Sequence, residues 1–241
     1  MPNHVTTRCV VVGAHQDIKR FRDKAFLVKD KILTFDFNAF IPMPSSIAET
    51  QSGTTAEEGA ALVSLTQGHA PPRLKPLAGR HSDDTQLRPA RITHMRETLN
   101  MPEASLTELA KAWLDKYPEY RTEGEKRLRA ISETGFPDWY DWACHHWNTK
   151  WNAYQLRIVR KSPLEFTFET AWDFPMPVFR KIAEEFPTLS FRCTCYDEGG
   201  NFAGDGFFNP NTLGPEFALC NASDELYERV YGQPPNVDDE D

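Results

Sequence analysis

Side chains that could take part in chemistry are concentrated in residues 136–154, FPDWYDWACHHWNTKWNAY. Seven of these nineteen residues are aromatic, and one cysteine and two histidines stand among them. An imidazole beside indole rings can bind a ligand, or act as a general acid or base near neutral pH. The stretch is therefore the first candidate for a binding pocket. Its candidate binding residues are His145, His146, Trp147, Lys150 and Trp151.

A helix over residues 139–151 is the predicted element that would order this pocket. At about 100° per residue, it places Trp139, Ala143 and Trp147 on one stripe with His146 beside them. One interpretation is that the tryptophan face builds the core, with His146 hydrogen-bonded inside it. The other is an aromatic pocket in which His146 faces a ligand. The sequence leaves both interpretations open.

A metal site would need thiolates and imidazoles that converge, and the cysteine spacing argues against one. Cys193 and Cys195 are two residues apart on a predicted strand, so both sulfurs share a face with Leu189 and Phe191. Such cysteines behave as small buried hydrophobic side chains. The chain has neither a Cys-x-x-Cys nor a His-x-x-x-His pair, and it lacks phosphate-binding glycine loops and serine nucleophile elbows. We therefore predict no metal site, no cofactor and no catalytic residue.

A second candidate segment is rich in basic residues and prolines. Residues 67–91 contain four prolines and few apolar residues, which is typical of an exposed, mobile loop. A basic arm over about 67–96 could bind nucleic acid, although the aromatic side chains that single-strand binding surfaces use are missing there. No Phe, Tyr or Trp occurs anywhere between Ile41 and Ala112. The basic residues of the loop are Arg73, Lys75, Arg80, Arg88 and Arg91.

Composition and charge narrow the class of protein. Hydrophobic residues make up 40% of the 241, enough for a packed core. The net charge is −8, and Asp238 to Asp241 supply half of it in an acidic tail over 234–241. This acidity disfavours nonspecific DNA binding. The chain has no run of about 20 apolar residues, and five cysteines fit a reducing compartment. We predict a cytoplasmic protein that does not span a membrane.

The elements that must position these segments are strands near both ends of the chain, with helices between them. β-branched or alternating apolar residues predict strands over 4–13, 32–40, 153–159, 164–170, 189–196 and 201–209. Apolar residues at helical spacing predict helices over 15–26, 55–66, 109–117, 122–134 and 177–186. Ser105 and Glu108 match a capping box, and Asp138 is a predicted cap for the helix that begins after Pro137.

The order of these elements predicts an α+β fold in a single domain, 1–241. Its core is a ferredoxin-like βαββαβ sandwich with an extra hairpin strand, and a mainly helical insertion covers about 42–152. One strand of the middle group must then be peripheral. Glu165 and Glu169 alternate with apolar residues, which places them on the open face of the sheet. Because carboxylates there would repel phosphate, we predict that this face does not bind RNA.

Five sequence blocks occur in an order that is specific when they are taken together. They are Asn3-His-Val-Thr6, Phe37-Asn-Ala-Phe-Ile-Pro-Met-Pro44, His146-Trp-Asn-Thr-Lys-Trp-Asn-Ala-Tyr154, Thr170-Ala-Trp172 with Pro175-Met-Pro177, and Tyr196-Asp-Glu-Gly199 with Phe202-Ala-Gly204. Together they resemble the YubB ferredoxin-like family of plasmid- and phage-borne proteins. The resemblance implies a ferredoxin-like fold with an insertion, and it transfers no catalytic residue. Asn148 stands where the family pattern has a glycine, which bears on local turn geometry.

The function predicted from these observations is that of a non-enzymatic accessory protein of a mobile element. Its partner would be a host protein, and inhibition of a host defence system is one form of this hypothesis. The mobile-element setting is implied by the resemblance alone. Two alternatives stay open: an enzyme or small-ligand binder that uses the pocket at 139–151, and nucleic-acid binding through the basic loop. The oligomeric state is left open as well.

Overall fold

The β-branched opening of the chain forms a central strand of a six-stranded antiparallel sheet. Strand β1 covers His4–Val12, and its alternating residues Val5, Cys9 and Val11 are buried. It pairs with two strands from the second half of the chain, one on each side. This position makes β1 the element around which the sheet is assembled.

The computed structural model describes residues 3–71, 87–209 and 213–235. The remaining strands are β2 (Phe26–Lys29), β3 (Ile32–Phe35), β4 (Tyr154–Lys161), β5 (Leu164–Ala171), β6 (Ser190–Asp197), β7 (Ala203–Phe208) and β8 (Ala218–Cys220). The helices are α1 (His15–Ala25), α2 (Ser45–Ala48), α3 (Thr54–Thr66), α4 (Pro89–Leu99), α5 (Leu106–Lys116), α6 (Pro118–Thr134), α7 (Trp139–His146), α8 (Met176–Glu185) and α9 (Asp224–Tyr231). Two compact units result. One contains Met1–Pro42 and Ala143–Asp241, and the other contains Met43–Trp142.

In the first unit, the strand order is β4–β5–β1–β6–β7–β8. Strands β1, β4, β5 and β6 alternate along the chain with α1 and α8 in the βαββαβ pattern. All the ladders between neighbouring strands of this sheet are antiparallel. The predicted α+β fold with a ferredoxin-like core is therefore confirmed.

Phenylalanine rings fill the space between the sheet and its two helices. Phe166 and Phe168 alternate on β5 and are fully buried, as the sequence pattern predicts. The ring of Phe21 on α1 lies 5.1 Å from that of Phe191 on β6, and the two meet edge to face. Complete burial of one such side chain stabilises the fold by roughly 1.5–3 kcal/mol. The core thus determines which face of each strand points inward.

The prediction of one strand over 32–40 is wrong at its end. Strand β3 stops at Phe35, and a 3-10 turn follows over Phe37–Ala39. The Asp36 carboxylate accepts a hydrogen bond from the Asn38 backbone N–H, a local contact that competes with strand pairing. β3 pairs with β2 in a separate two-stranded hairpin, so it is the peripheral strand that the ferredoxin-like topology required.

The end of the chain contributes elements that the sequence pattern did not predict. β7 is the expected hairpin strand, and β8 pairs with its far side. Helix α9 then packs on the face of the sheet opposite to the phenylalanine core. Its Tyr227 ring lies 5.3 Å from Tyr196 of β6, and its Tyr231 hydroxyl lies 3.2 Å from that of Thr6 on β1. The face that would otherwise be open is thus partly covered.

The second unit is helical, and its main contact is the crossing of α3 and α6. These helices meet at Gly59 and Gly124, where a Cβ on Gly59 would lie only 2.0 Å from the Tyr120 carbonyl oxygen. Two glycines therefore permit the close approach. Helix α5 starts with the predicted capping box of Ser105 and Glu108. A compact apolar cluster is formed by Leu62, Val63, Met95, Leu109, Ala110, Trp113 and Leu114.

A buried ion pair joins α6 of this unit to the start of α7. The Arg127 guanidinium lies 3.0 Å from the Asp138 carboxylate, and their side chains are 2% and 1% exposed. Asp138 also accepts hydrogen bonds from the backbone N–H groups of Tyr140 and Asp141, both at 3.0 Å. The predicted N-cap is confirmed, and the same carboxylate neutralises a buried arginine. Removing either partner would leave the other charge buried and unpaired, which strongly destabilises the fold.

We expect replacement of Asp138 by Ala to lower the free energy of unfolding by about 3–5 kcal/mol, because Arg127 would remain charged and buried. The change also removes a helix cap. Denaturant titration followed by circular dichroism measures the effect. Asp115→Ala is the matched control, since that side chain is 76% exposed in its pair with Arg121 and should cost about 0.5 kcal/mol or less. Equal losses in the two variants would contradict the assignment.

Candidate functional site

The helix predicted over 139–151 ends earlier than the sequence indicates. Helix α7 stops at His146, so Lys150 and Trp151 lie beyond it and do not share its faces. Asn148 follows with a φ of 62°, in the left-handed region that ends helices. Asparagine tolerates this conformation better than other residues with a side chain. The position at which the sequence resemblance implies a glycine thus has a backbone conformation that glycine adopts readily.

The predicted pocket residues are consequently separated. Trp147 is 3% exposed, and its indole N–H donates to the Ile41 carbonyl oxygen at 3.0 Å. Its ring meets Phe37 edge to face at 5.8 Å, which makes it part of the core. His145 is exposed and lies 4.9 Å from the partly buried His146. Burial, and secondarily the neighbouring His145, lower the pKa of His146.

Lys150 and Trp151 join a different group of side chains, at one end of the six-stranded sheet. The Lys150 ammonium lies 4.7 Å from the centre of the Trp151 ring and 5.2 Å from that of Trp172. Trp151 lies 6.4 Å from Tyr154, the first residue of β4. These four residues, together with His4, are called the tryptophan surface below. A cation between two indole rings holds both rings in place.

Trp172 has the most unusual backbone conformation of this group. It follows β5 with a φ of 77°, a value that bulky residues adopt rarely. Its backbone N–H donates to the Asn3 carbonyl oxygen at 2.9 Å, which ties the strained residue to the start of β1. The residue is nevertheless 39% exposed. A strained backbone that presents a large aromatic side chain to solvent is typical of functional sites.

The polar part of the tryptophan surface centres on His4. The Tyr154 hydroxyl lies 2.6 Å from His4 Nδ1, and a Glu169 carboxylate oxygen lies 3.5 Å from the same nitrogen. The backbone N–H of His4 donates to Glu198 at 2.8 Å. Burial, and then the charges of Glu169 and Glu198, raise the pKa of Tyr154 to about 12. The phenol therefore stays protonated and available as a hydrogen-bond donor.

Three members of this surface are not among the candidate binding residues that the sequence predicts. His4, Tyr154 and Trp172 are far apart in the chain, and none belongs to a spacing motif. All three, however, lie in the sequence blocks that carry the family resemblance. Their presence in these blocks is the sequence feature that could have identified them.

The structure describes only part of the basic loop. Arg73, Lys75 and Arg80 lie outside the described residues, whereas Arg88 directly precedes α4 and Arg91 lies within it. Arg91 donates to Glu58 at 2.8 Å and to the Tyr120 hydroxyl at 2.9 Å. Its guanidinium also lies 4.6 Å from the centre of the Trp113 ring. Arg91 is therefore engaged in the helical unit, and the loop ends before it.

Metal-binding groups do not converge anywhere in 3–71, 87–209 or 213–235: no set of three or more His, Cys, Asp or Glu side chains there could hold an ion. Cys193 and Cys195 are fully buried, and burial raises the pKa of both thiols. They pack as small apolar side chains, as their spacing indicates. Within the same described ranges, no helix combines the length and apolar character that crossing a bilayer requires.

A family model agrees with the ferredoxin-like fold. Residues 146–214 match a family model described as the ferredoxin-like domain in Api92-like protein. The matched segment begins at the last residue of α7 and includes β4, β5, α8, β6 and β7. Tyr154 and Trp172 of the tryptophan surface therefore lie inside it.

Among solved structures, the chain is similar to protein api92 from Yersinia pseudotuberculosis. The alignment has a TM-score of 0.41 and 9% sequence identity, and it covers 92% of this chain and 99% of that one. No curated protein matches the sequence.

The tyrosine at the centre of the surface offers a test of its surroundings. We expect Tyr154 to ionise with a pKa of about 12 instead of the ordinary 10.0. Because folding favours the neutral phenol, its contribution to stability is complete below pH 10 and is lost as the pH rises through 12. Ultraviolet titration of the native protein and of Tyr154→Phe follows tyrosine ionisation, and the two curves should differ only near pH 12, where Tyr154 ionises. Loss of a transition near pH 10 in the variant would contradict the described environment.

Proposed function

We propose that this chain is a non-enzymatic binding protein that recognises a host protein through the tryptophan surface. The proposal includes the setting implied by the YubB-like sequence blocks, which is that of a plasmid- or phage-borne accessory protein. In that setting the protein acts in the cytoplasm of the host cell. Inhibition of a host defence factor is the form of this function that suits a mobile element best.

The exposure of Trp172 is the observation that carries the proposal. Tryptophan and tyrosine dominate the residues that supply most binding energy at protein interfaces. Trp172 is 39% exposed, and its backbone is held in a left-handed conformation that costs about 1–3 kcal/mol. The Lys150 ammonium lies 5.2 Å from the centre of the Trp172 ring, a cation–π contact that favours one position of the ring. A ring that is already ordered loses little side-chain entropy when it enters a pocket of a partner.

The composition around the rings also suits a protein partner. His4, Glu169 and Glu198 lie beside Tyr154, at the polar side of the tryptophan surface, and supply groups that donate and accept hydrogen bonds. An apolar centre with a polar rim is the usual organisation of a protein interface. No buried cavity for a small molecule is needed for such recognition.

The two alternatives have less support from the geometry. The enzyme hypothesis relied on a pocket formed along one helix, but α7 ends at His146 and Trp147 packs into the core. The nucleic-acid hypothesis relied on a basic loop whose residues Arg73, Lys75 and Arg80 lie outside the described residues. Arg91, the last of its bases, is paired with Glu58.

Capture from host lysate by the tagged, full-length protein tests the proposed function. After nuclease treatment, we expect a host protein to be retained in stoichiometric amount. Trp172→Ala should weaken its binding about thirty-fold, since an interface hot spot contributes about 2 kcal/mol or more. The affinity for the purified partner is measured by calorimetry.

Ile32→Ala is the matched control, because Ile32 is also a large apolar residue, 65% exposed, on the separate β2–β3 hairpin. It should leave the affinity unchanged. Circular dichroism confirms that both variants are folded. Equal binding by the wild type and Trp172→Ala, or capture that nuclease abolishes, would refute the proposal.

A further inference from the structure

The outer face of the six-stranded sheet, opposite to the phenylalanine core, carries two rows of side chains that run across the strands. In one row, Arg157 of β4 pairs with Thr167 of β5, which pairs with Arg8 of β1. In the next, the cross-strand partners are Arg160, Glu165, Val10, Arg192 and Phe207, on five successive strands. Because cross-strand partners share a face, these side chains lie side by side. Arg8, Arg157, Arg160 and Arg192 are called the arginine patch below.

Glu165 lies within this patch, but its carboxylate is paired with two arginines. Its carboxylate is 2.6 Å from Arg8 Nε and 2.5 Å from Arg160 Nη2, and its side chain is 4% exposed. Burial by itself would raise the pKa of Glu165, but hydrogen bonds from Arg160 and Arg8 lower it overall. The prediction that this face repels phosphate treated Glu165 as a free charge, whereas Arg8 and Arg160 enclose its carboxylate.

The patch keeps a positive charge after this pairing. Four arginines and one glutamate leave three positive charges, in a chain whose overall charge is −8. Arg157 is exposed, and Arg160 and Arg192 expose 56% and 45% of their side chains. Arg192 approaches Asp205 no closer than 4.0 Å, and Asp205 already pairs with Arg229 of α9 at 2.8 Å. Local charge here is thus opposite in sign to that of the whole molecule.

An aromatic ring lies at one end of the patch. The Arg192 guanidinium is 5.9 Å from the centre of the partly buried Phe207 ring. Helix α9 covers the neighbouring part of the face, where Arg8 also donates to the Arg229 carbonyl oxygen at 3.3 Å. Within the described residues, the row from Arg160 on β4 across β5 and β1 to Arg192 and Phe207 lies beside α9, and Arg160 and Arg192 are exposed. From β4 to β6 it spans three strand spacings, or about 14 Å.

We propose that the arginine patch binds the phosphate chain of single-stranded nucleic acid, with a base stacked on Phe207. Guanidinium groups bind phosphate and carboxylate oxygens alike in a bidentate manner. The Phe207 ring beside Arg192, on which a base can stack, favours a nucleic acid over a carboxylate-bearing protein surface. A basic path combined with a stacking ring is the arrangement that single-strand binding proteins use. A duplex would not offer an unstacked base to Phe207. This site is separate from the tryptophan surface, and the proposed function does not depend on it.

Fluorescence anisotropy with a labelled oligothymidylate of about 12 nucleotides, a length within known single-strand site sizes, tests the proposal on the full chain. We expect salt-dependent binding by the wild type. The double variant Arg157→Gln and Arg192→Gln should bind about ten-fold more weakly at low salt, and its slope against log salt should fall by about 1.4, or 0.7 for each lost contact. These two arginines do not hold Glu165, so the fold is preserved.

The charge-matched control is the double variant Arg20→Gln and Arg121→Gln, which removes two exposed arginines from α1 and α6. It should bind as the wild type does. Phe207→Leu should weaken oligothymidylate binding without changing the affinity for polyglutamate. Absence of salt-dependent binding, or equal losses in the two double variants, would overturn the proposal. Polyglutamate binding as tight as that of the oligonucleotide, with no effect of Phe207→Leu, would assign the patch to an acidic protein instead.

Discussion

Burial of phenylalanine on one face of the sheet is the constraint on which the rest of the first unit depends. Phe166 and Phe168 occupy the inward face of β5, and α1 and α8 supply the rings that meet them. The register of β5 against β1 follows, because a shift by one residue would expose every buried ring. The outer face of the sheet is therefore left to residues of the opposite parity.

The residues on the outer face and at the end of the sheet form the two candidate binding surfaces. On the outer face, two arginines enclose Glu165 and α9 packs beside them, so the exposed charges in the row from Arg160 to Arg192 are positive. At the end of the sheet, β1 and β4 begin where β5 finishes, which brings His4, Tyr154 and Trp172 together. Both candidate surfaces are thus consequences of strand pairing in one ferredoxin-like sheet. Neither depends on the helical unit formed by Met43–Trp142.

The helical unit is packed in a different way, because its segment has no aromatic residue before Trp113. Small residues let α3 and α6 approach closely at Gly59 and Gly124. A buried ion pair also stabilises this unit, and its carboxylate caps α7. Close backbone packing and a buried ion pair thus add to the stability that the apolar cluster around Trp113 provides. This is why a single substitution at Asp138 should have a larger effect than changes at exposed charges.

The sequence alone determined the periodic elements: the alternation of β1, β5 and β6, the capping box at Ser105, the Asp138 cap and the ferredoxin-like order. These depend on neighbouring residues, and local patterns report them. It could not determine that Asn148 turns the chain away after α7, or that Glu165 is enclosed by Arg8 and Arg160. Nor could it place His4, Tyr154 and Trp172 together. The contacts of Arg8 with Glu165 and of His4 with Tyr154 join strands that are far apart in the chain, by 157 and 150 positions. Only the folded sheet brings such residues into contact.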